Sequence, residues 1–447
     1  MTDSTVTGSA VTDSAVRAFV LCLACVALWV APAAAQDEET VALVGGMIVT
    51  GEGDPIPEGT VVIRGETLVS VGTGPAPAGA RVIDCQGTVI TAGFVGTQSS
   101  LGLEEISLEP STVETAPEGD DVDAIRASFS AADGYNPTST LIPVARRGGV
   151  TSAISTPQGG LIAGTSAWVD LAGSSMDRAL GEGLLALHVS LGDGAVEAAG
   201  GTRSTALAAL REALNDAQLY RTRRTAFDRR QVRDLSVSQA DLERLGQALS
   251  GDIPVVVRVS HSHDILRVLA LAAEFELRLV LAGAEEGWQV ATQIAAAEVP
   301  VIVQPMTNMP AQFSMLHARY DNPTLLHAAG VRLILSTEDA HGLRNLRQEA
   351  GNAVAQGLPA DVALRALTSE PARVFGLEDR YGTLAPNRVA NVVVWSGDPF
   401  ELTTWARNLF IRGREIPLTS RQTLLRDRYR QLDTVPRGRR GLPRVRQ

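Results

Sequence analysis

The feature that most constrains the fold is the alternation of short apolar runs with longer amphipathic segments between residues 93 and 379. The runs have the length of β-strands, and segments such as DILRVLALAAEF and LRNLRQEAGNAVAQG are typical of helices. This alternation predicts parallel βαβ units, and at this length a (β/α)8 barrel is the most economical closure. The strand-length runs are GGVTSAIST, GLLALHVSL, PVVVRVS, LRLVLAG, PVIVQPM and VRLILST.

Two further sets of strands flank this region, at residues 36–92 and 380–416. Segments such as TVVIRGETLVSVG and RVANVVVW alternate Val, Ile and Thr between Gly and Pro clusters, which indicates antiparallel strands. We expect the two sets to meet in one small β-sandwich beside the barrel of residues 93–379.

The first 35 residues are predicted to be a signal peptide, because the apolar run 18–30 is followed by the small-residue site Ala33-Ala34-Ala35. An uncleaved membrane anchor fits less well, since the run is short for a span. Cleavage predicts a periplasmic or secreted protein with no stable membrane span. Of the three cysteines only Cys85 would remain, so the mature chain has no internal disulfide.

Charge is distributed unevenly along the chain. The net charge of -11 argues against nucleic acid as the main partner. Residues 104–123 carry eight acidic and no basic side chains, and we expect an exposed loop above the first barrel strand.

The C-terminal tail, residues 417–447, holds nine arginines against Asp427 and Asp433. A helix through TSRQTLLRDRYRQL followed by a solvated end is the preferred interpretation, with contact to an acidic surface or lipid headgroups as the alternative.

Composition also excludes several reaction classes. All 39 basic residues are arginine, so no lysine can form a Schiff base, bind phosphates in a P-loop or bridge two metals as a carbamate. A metal centre built from several histidines has few sources, because the chain has six: His188, His261, His263, His317, His327 and His341.

The segments VIDCQGTVITAGFVGTQSSLGL and YGTLAPNRVANVVVWSGDP resemble the motifs that bracket proteins of the amidohydrolase superfamily, in particular its imidazolonepropionase-like and cyclic-imidase-like branch. The resemblance implies a (β/α)8 barrel with a β-sandwich assembled from both termini. It also implies hydrolysis of non-peptide carbon–nitrogen bonds, often in cyclic amides, by water that one or two divalent metals activate.

The metal ligands that the resemblance implies are largely replaced in this chain. Gln98 and Ser100 stand where the first strand would end in His-x-His, and Gly96 stands where an Asp would precede them. Of the family's ligand positions, only the one at Glu338 keeps a carboxylate, in place of the eighth-strand Asp. The fifth-strand histidine position falls on Arg258 or Ser260, and the sixth-strand position on Ala282 or Gly283.

These replacements predict a catalytically degenerate amidohydrolase-like protein with no resident cofactor. Neutral Gln and Ser oxygens are poor zinc ligands, and Arg258 would repel a dication by about 4 kcal/mol per unit charge pair at 4 Å and intermediate dielectric. The alternatives are an exported small-molecule-binding protein and a scaffold, either a homo-oligomer or paired with an active homologue. An arginine at a former ligand position suits an anionic ligand. The predicted pocket-lining residues are Gln98, Ser100, Arg258, Ser260, Trp288, Gln304 and Glu338.

A relocated zinc site is a second enzymatic hypothesis. His261 and His263 follow a predicted strand, and Glu338, Asp339 and His341 follow the eighth strand, so together they offer three imidazoles and carboxylates. Helix capping explains the first pair more simply, with Ser260 or Ser262 as N-cap and Asp264 in the first turn.

The remaining candidates favour structural roles. His188 lies in an apolar strand and is interpreted as a core or barrel-lining histidine, because no carboxylate accompanies it before Asp193. His317 and His327 are interpreted as structural, and Glu104 and Glu105 as solvated. The glycine-rich stretch 158–167 is expected to form a tight barrel turn, and no nucleophile motif of a non-metal hydrolase occurs.

Overall fold

The computed structural model describes residues 39–117, 119, 122–173, 175–337 and 339–430. The predicted signal peptide, Glu338 and residues 431–447 therefore lie outside the described residues. All strands and helices below belong to one compact unit that begins at Thr40.

Sixteen β-strands form two sheets within the described part of the chain. They are β1 (Thr40–Val49), β2 (Ile56–Arg64), β3 (Thr67–Gly72), β4 (Arg81–Asp84), β5 (Val89–Ala92), β6 (Phe94–Ser99), β7 (Val150–Ser155), β8 (Ile162–Asp170), β9 (Leu180–Ser190), β10 (Val255–Val259), β11 (Leu279–Gly283), β12 (Val301–Val303), β13 (Leu333–Leu335), β14 (Val392–Trp395), β15 (Ala406–Ile411) and β16 (Arg414–Glu415).

Fourteen α-helices accompany them among the described residues. They are α1 (Ala131–Gly134), α2 (Ile142–Arg147), α3 (Met176–Ala179), α4 (Asp193–Ala198), α5 (Arg203–Thr222), α6 (Arg224–Asp228), α7 (Gln239–Leu249), α8 (Ser262–Glu274), α9 (Ala291–Ala296), α10 (Asn322–Ala328), α11 (Leu346–Ala355), α12 (Ala360–Leu367), α13 (Ser369–Val374) and α14 (Arg421–Arg430). Among the described residues, no helix is long and apolar enough to cross a membrane.

The barrel sheet runs in sequence order from β6 to β13. The Ser336 hydroxyl, just after β13, donates to the Thr97 carbonyl oxygen of β6, which brings the first and last strands together. Helices lie between most successive strands, as the alternation of apolar runs predicts. The α/β class with a nearly closed eight-stranded barrel is confirmed.

One barrel strand departs from the predicted parallel arrangement, because β8 pairs antiparallel with both β7 and β9. Only residues 156–161 separate β7 from β8, and a parallel crossover needs a dozen or more residues. The expectation of a tight turn over 158–167 is thus wrong for most of its length, since Ile162 already begins the strand. The third barrel position is occupied by a hairpin strand.

The barrel interior is apolar at its amino-terminal end. Inward side chains from every barrel strand form a buried cluster, closed by residues of α13 and of the segment that follows it. The Trp168 and Tyr381 rings lie 4.9 Å apart within it. The inward strand residues of this cluster include Val95, Ile154, Trp168, Ala186, Val256, Val280, Ala282, Ile302 and Ile334.

The two terminal segments meet in a single eight-stranded sheet, because β14 pairs antiparallel with β5. This sheet is the β-domain that the sequence predicts from the two terminal segments. Register shifts around Gly45 and Gly46 bend β1, so that residues 41–44 pair with β4 and residues 47–49 pair with β5. The bent sheet encloses its own core of Val, Ile and Leu side chains together with Phe410.

A buried carboxylate links the barrel to this sheet. Asp170, at the end of β8, is 0% exposed and accepts hydrogen bonds from Ser152 Oγ at 2.8 Å, Tyr381 OH at 2.8 Å and Asn391 Nδ2 at 3.0 Å. Arg412 of the terminal sheet lies 3.9 Å away. Burial raises the pKa of Asp170, while the hydrogen bonds lower it. The network therefore joins groups from both parts of the chain.

We expect Asp170→Ala to lower the free energy of unfolding by about 3 kcal/mol, because it leaves buried donors without an acceptor. Urea denaturation of a protein comprising residues 36–447 measures this change. The control is Asp379→Ala, whose carboxylate is 99% exposed, and it should stay within about 0.5 kcal/mol of the wild type. Equal losses in the two variants would contradict a linking role for Asp170.

Candidate functional site

The strand register places three polar side chains inside the carboxyl-terminal mouth of the barrel. Val256 of β10 belongs to the interior cluster and pairs with His188 of β9, and two residues further on Arg258 pairs with Ser190. Because side chains alternate between the two faces of a strand, His188, Ser190 and Arg258 share the interior face with Val256. Active sites of such barrels lie at this end.

A cavity of about 310 Å³ opens at this mouth, between the ends of the first, second, fourth and fifth strands and the start of the antiparallel third strand, β8. Val189, Val256, Pro157 and Ala163 form its apolar walls. Its polar lining comprises Gln98, Thr156, Gln158, His188, Ser190 and Arg258. This mixture of apolar walls and a few converging polar groups is typical of a small-molecule site.

His188 lies at the wall of the cavity with its imidazole almost fully enclosed, at 5% exposure. Its Nε2 atom is buried and has no hydrogen-bond partner in the described part of the protein. Burial lowers the pKa of His188 to about 3, because desolvation disfavours the imidazolium. The side chain therefore faces the cavity as a neutral imidazole at physiological pH.

Gln98 reaches the same cavity from the first strand in an unusual backbone conformation. Its φ of 53° lies in the left-handed region, beside a register shift between β6 and β7. Its Nε2 atom is buried and unpartnered among the described residues. Strained backbone of this kind occurs preferentially at functional sites, where the surrounding structure holds it.

Arg258 provides the positive charge of the cavity. Its side chain is partly buried, and within the described ranges no carboxylate lies within ion-pair distance of its guanidinium. A guanidinium presents five N–H donors in a planar fork that matches a carboxylate. Among the described residues, the cavity therefore combines a guanidinium without an ion-pair partner, an amide group from Gln98 and a neutral imidazole.

The side chains at this mouth do not fit the metal centre that the resemblance implies. Arg258 and Ala282 occupy the interior positions of the fifth and sixth strands, and neither can bind a cation. A Cβ atom at Gly96 would lie 2.3 Å from Leu343 Cδ1, so an aspartate there would require the Leu343 side chain to move. The described residues form no group of three or more His, Cys, Asp and Glu side chains that could hold a metal ion.

His261 and His263 perform a capping role at the start of α8. His261 is the N-cap residue, and its Nδ1 accepts from the His263 backbone N–H at 3.2 Å. The two rings stack with centroids 5.4 Å apart. The capping interpretation holds, but the expected cap residues were wrong: Ser260 is not the cap, and the Ser262 hydroxyl donates to Gln289 instead.

The candidate metal ligands after the eighth strand do not come together in a cluster within the described part of the chain. Asp339 and His341 are both exposed, and the Asp339 carboxylate accepts from the Gly342 backbone N–H. Glu338, the candidate catalytic carboxylate, lies outside the described residues.

Four predicted pocket residues lie outside the lining of the cavity. Gln304 is buried and donates to the Thr337 carbonyl oxygen at 2.8 Å, which ties the seventh strand to the eighth. Trp288 donates through Nε1 to the His317 carbonyl oxygen at 2.8 Å. Ser100 is buried beside the first strand, and Ser260 accompanies the cap of α8.

Glu286 is a buried carboxylate that the sequence analysis missed. It accepts from the backbone N–H groups of His317 at 3.0 Å and Ser262 at 3.2 Å, and it lies 3.2 Å from His317 Nδ1. Burial raises the pKa of Glu286, but the hydrogen bonds outweigh it and the pKa is lowered overall. Glu286 thereby ties together the loops that follow β10, β11 and β12.

Comparison with known sequences gives two partial matches. The model of the amidohydrolase family matches residues 295–416. A 5-methylthioadenosine/S-adenosylhomocysteine deaminase from Desulforudis audaxviator (strain MP104C) is 43% identical over 79 residues, which cover 15% of this chain and 18% of the deaminase. The chain therefore matches less than a fifth of that relative's length.

Similar solved structures cover much more of the chain. An amidohydrolase from Thermotoga maritima MSB8 superposes with a TM-score of 0.77 at 22% identity, over 84% of this chain and 99% of that one. Molinate hydrolase gives a TM-score of 0.54 at 17% identity, over 86% and 95%. A zinc-bound adenosine deaminase from Xanthomonas campestris gives 0.50 at 16% identity, over 88% and 98%. At these identities the structural likeness shows the shared fold.

The pKa of His188 predicts a pH dependence of stability. When the pH is lowered from 6.5 to 4.5, the unfolded chain takes up a proton at this histidine and the folded chain does not. The free energy of unfolding therefore decreases as the pH falls. Wild type should lose about 2 kcal/mol more than His188→Gln over this interval. Urea titrations of both proteins at each pH measure the difference, and parallel profiles would contradict a neutral buried His188.

Proposed function

We propose that the chain is a member of the amidohydrolase superfamily that binds a small organic anion where its relatives bind metal. The amidohydrolase family match over residues 295–416 and the shared barrel fold support this assignment. The same match supports a hydrolase-type function in the broad sense. The finer proposal is an exported, degenerate member in which metal-dependent hydrolysis of carbon–nitrogen bonds has been lost.

Arg258 is the observation that carries this proposal. It occupies the interior end of the fifth barrel strand, lines the cavity and has no carboxylate partner in the part of the chain that the structure describes. A partly buried guanidinium without a counter-ion is destabilising, because part of its hydration is lost. A bound anion would supply the missing partner.

The neighbouring groups narrow the chemistry of the ligand. Gln98 Nε2 has no hydrogen-bond partner among the described residues and can donate to a ligand, which favours a carboxylate or carbonyl oxygen. Neutral His188 can donate or accept at its Nε2, according to its tautomer. The apolar walls and a volume of about 310 Å³ suit a small carboxylic acid with a short hydrocarbon or amide part.

A relocated zinc site receives less support. His261 and His263 face each other in a stacked pair at the start of α8, and His261 Nδ1 is already engaged by a backbone N–H. His261 Nε2 lies 3.8 Å from Glu286, whose carboxylate is occupied by two backbone donors.

Metal analysis tests the loss of the ancestral centre. The mature chain, residues 36–447, purified without chelators and dialysed, should contain far less than one equivalent of zinc, iron or manganese. The reason is that Gln98, Arg258 and Ala282 offer no strong ligand. Near-stoichiometric metal that survives dialysis would contradict this part of the proposal.

The predicted signal peptide is tested by mass spectrometry of the exported protein, which identifies its N-terminal residue.

Ligand binding is tested by thermal-shift screening of small carboxylates, dipeptides and cyclic imides. At least one carboxylate should raise the melting temperature of wild type. Arg258→Met should weaken that ligand at least tenfold, since a charge-assisted hydrogen bond contributes about 1.5–3 kcal/mol. Isothermal titration calorimetry with the best ligand measures the change.

The matched control is Arg229→Met, because Arg229 is exposed on the loop after α6. This variant should bind the same ligand as wild type does. If no carboxylate shifts the melting temperature, the scaffold alternative is favoured over the binding function. If Arg258→Met binds as well as wild type, the anion is held elsewhere.

A further inference from the structure

A second cavity, of about 410 Å³, lies on the carboxyl-terminal face of the barrel. Connections that leave the carboxyl ends of β9, β10 and β12 enclose it, and Asp193, His261 and Phe313 line it from these three connections in turn. We call this cavity the lateral pocket. Among the described residues, its lining shares no member with the cavity at the barrel mouth, so it is a separate place for a ligand.

Two arginines are held at the lateral pocket by one buried carboxylate. The Asp264 side chain is 5% exposed and accepts through one oxygen from Arg203 Nε at 2.5 Å. Through the other oxygen it accepts from Arg267 Nη1 at 2.6 Å. Because both guanidiniums bond to the same carboxyl group, they lie next to each other in fixed positions.

The two guanidiniums keep donors that the protein does not use. Arg267 is 57% exposed, and among the described residues its side chain donates to Asp264 alone. Arg203 also donates through Nη2 to Asp193 at 3.2 Å, but its Nη1 has no acceptor in the described part of the chain. Each guanidinium carries five N–H groups, so most of them are available to a ligand. Carboxylate and phosphate oxygens are the acceptors that suit such donors best.

The aspartates of the lateral pocket do not favour a cation instead. Both oxygens of Asp264 are engaged by the arginines, and the residue is buried. Asp193 Oδ1 accepts from Arg203, and its Oδ2 accepts from Ser314 Oγ at 3.4 Å. The carboxylates are thus paired within the protein, and the groups that remain for a ligand are mainly N–H donors.

Flat side chains form the apolar part of the lateral pocket. Phe313 lines it and yet is 89% exposed. The His261 and His263 rings, which also line it, stack on each other. The hydrogen bond between Ser314 and Asp193 ties the turn that carries Phe313 to the connection after β9. A planar ring bound here would cover apolar surface that water solvates poorly.

We propose that the lateral pocket binds a small aromatic anion. Its anionic group accepts hydrogen bonds from Arg203 and Arg267, and its ring packs against Phe313 and the exposed imidazole of His263. A volume of about 410 Å³ accommodates one aromatic ring with its substituents. The protein then has two ligand sites on one face of the barrel, of which the site at Arg258 is the other.

Isothermal titration calorimetry with phenyl phosphate as the probe tests the proposal on a protein comprising residues 36–447. Wild type should bind phenyl phosphate about tenfold more tightly than inorganic phosphate, because the ring covers apolar surface. Arg267→Met should weaken phenyl phosphate about tenfold, since charge-assisted hydrogen bonds are lost. Phe313→Ala should bring phenyl phosphate close to the affinity of inorganic phosphate, which itself should change little.

Matched controls separate loss of binding from damage to the fold. Arg211→Met removes an arginine of similar exposure that pairs with Glu274 at 3.1 Å away from the lateral pocket. Leu402→Ala removes another exposed apolar side chain. Both controls should bind phenyl phosphate as wild type does. Arg267→Met also takes one partner from buried Asp264, so its melting temperature is compared with that of wild type, whereas Phe313→Ala tests the site through an exposed side chain.

Three outcomes would overturn the proposal. Wild type could fail to bind phenyl phosphate, or inorganic phosphate could bind wild type as tightly as phenyl phosphate does. Arg258→Met could weaken phenyl phosphate while Arg267→Met and Phe313→Ala leave it unchanged, which would place the probe in the cavity at the mouth. If the lateral pocket is the site, Arg258→Met leaves phenyl phosphate binding unchanged, so this proposal and the proposed function fail independently.

Discussion

The packing of side chains inside the barrel is the constraint on which the rest of the structure depends. Side chains alternate between the two faces of a strand, so a residue that points inward at the amino-terminal end of the barrel fixes which residues of that strand point inward at the mouth. Hydrogen-bond register carries the same choice to the neighbouring parallel strand. Val256 packs in the apolar layer, and therefore Arg258 must face the cavity. The same register turns His188 inward. The apolar layer thus holds the barrel together and also sets the chemistry of its mouth.

The buried network around Asp170 extends this constraint to the terminal sheet. Because β8 runs antiparallel, its last residue lies at the amino-terminal end of the barrel, where Asn391 and Arg412 of the terminal sheet can reach it. The polar mouth and the polar junction lie at opposite ends of the apolar layer. Substitutions at the junction are therefore expected to act on stability, and those at the mouth on binding.

Most of the barrel could be predicted from sequence, because strand-length apolar runs and helical segments are local patterns. The antiparallel β8 was not predicted, since its direction depends on the short connection at 156–161 rather than on the composition of the strand. His261 replaced the expected serine cap because the backbone geometry at the end of β10 presents its imidazole to the His263 N–H. Glu286 was missed because its donors come from Ser262 and His317, which are distant in sequence.

By itself, the sequence predicted that the metal ligands implied by the resemblance are replaced, because Gln98, Ser100, Arg258 and Ala282 stand at the expected strand ends. It also determined the opposite charges of residues 104–123 and of the C-terminal tail, residues 417–447. Only the tertiary structure decided which of these residues meet. Gln98, His188 and Arg258 come from three strands and converge on one cavity, whereas Ser100, Ser260 and Gln304 lie outside its lining. The reason is physical: strand register, side-chain alternation and the space that Leu343 fills beside Gly96 are properties of packing, which no local pattern encodes.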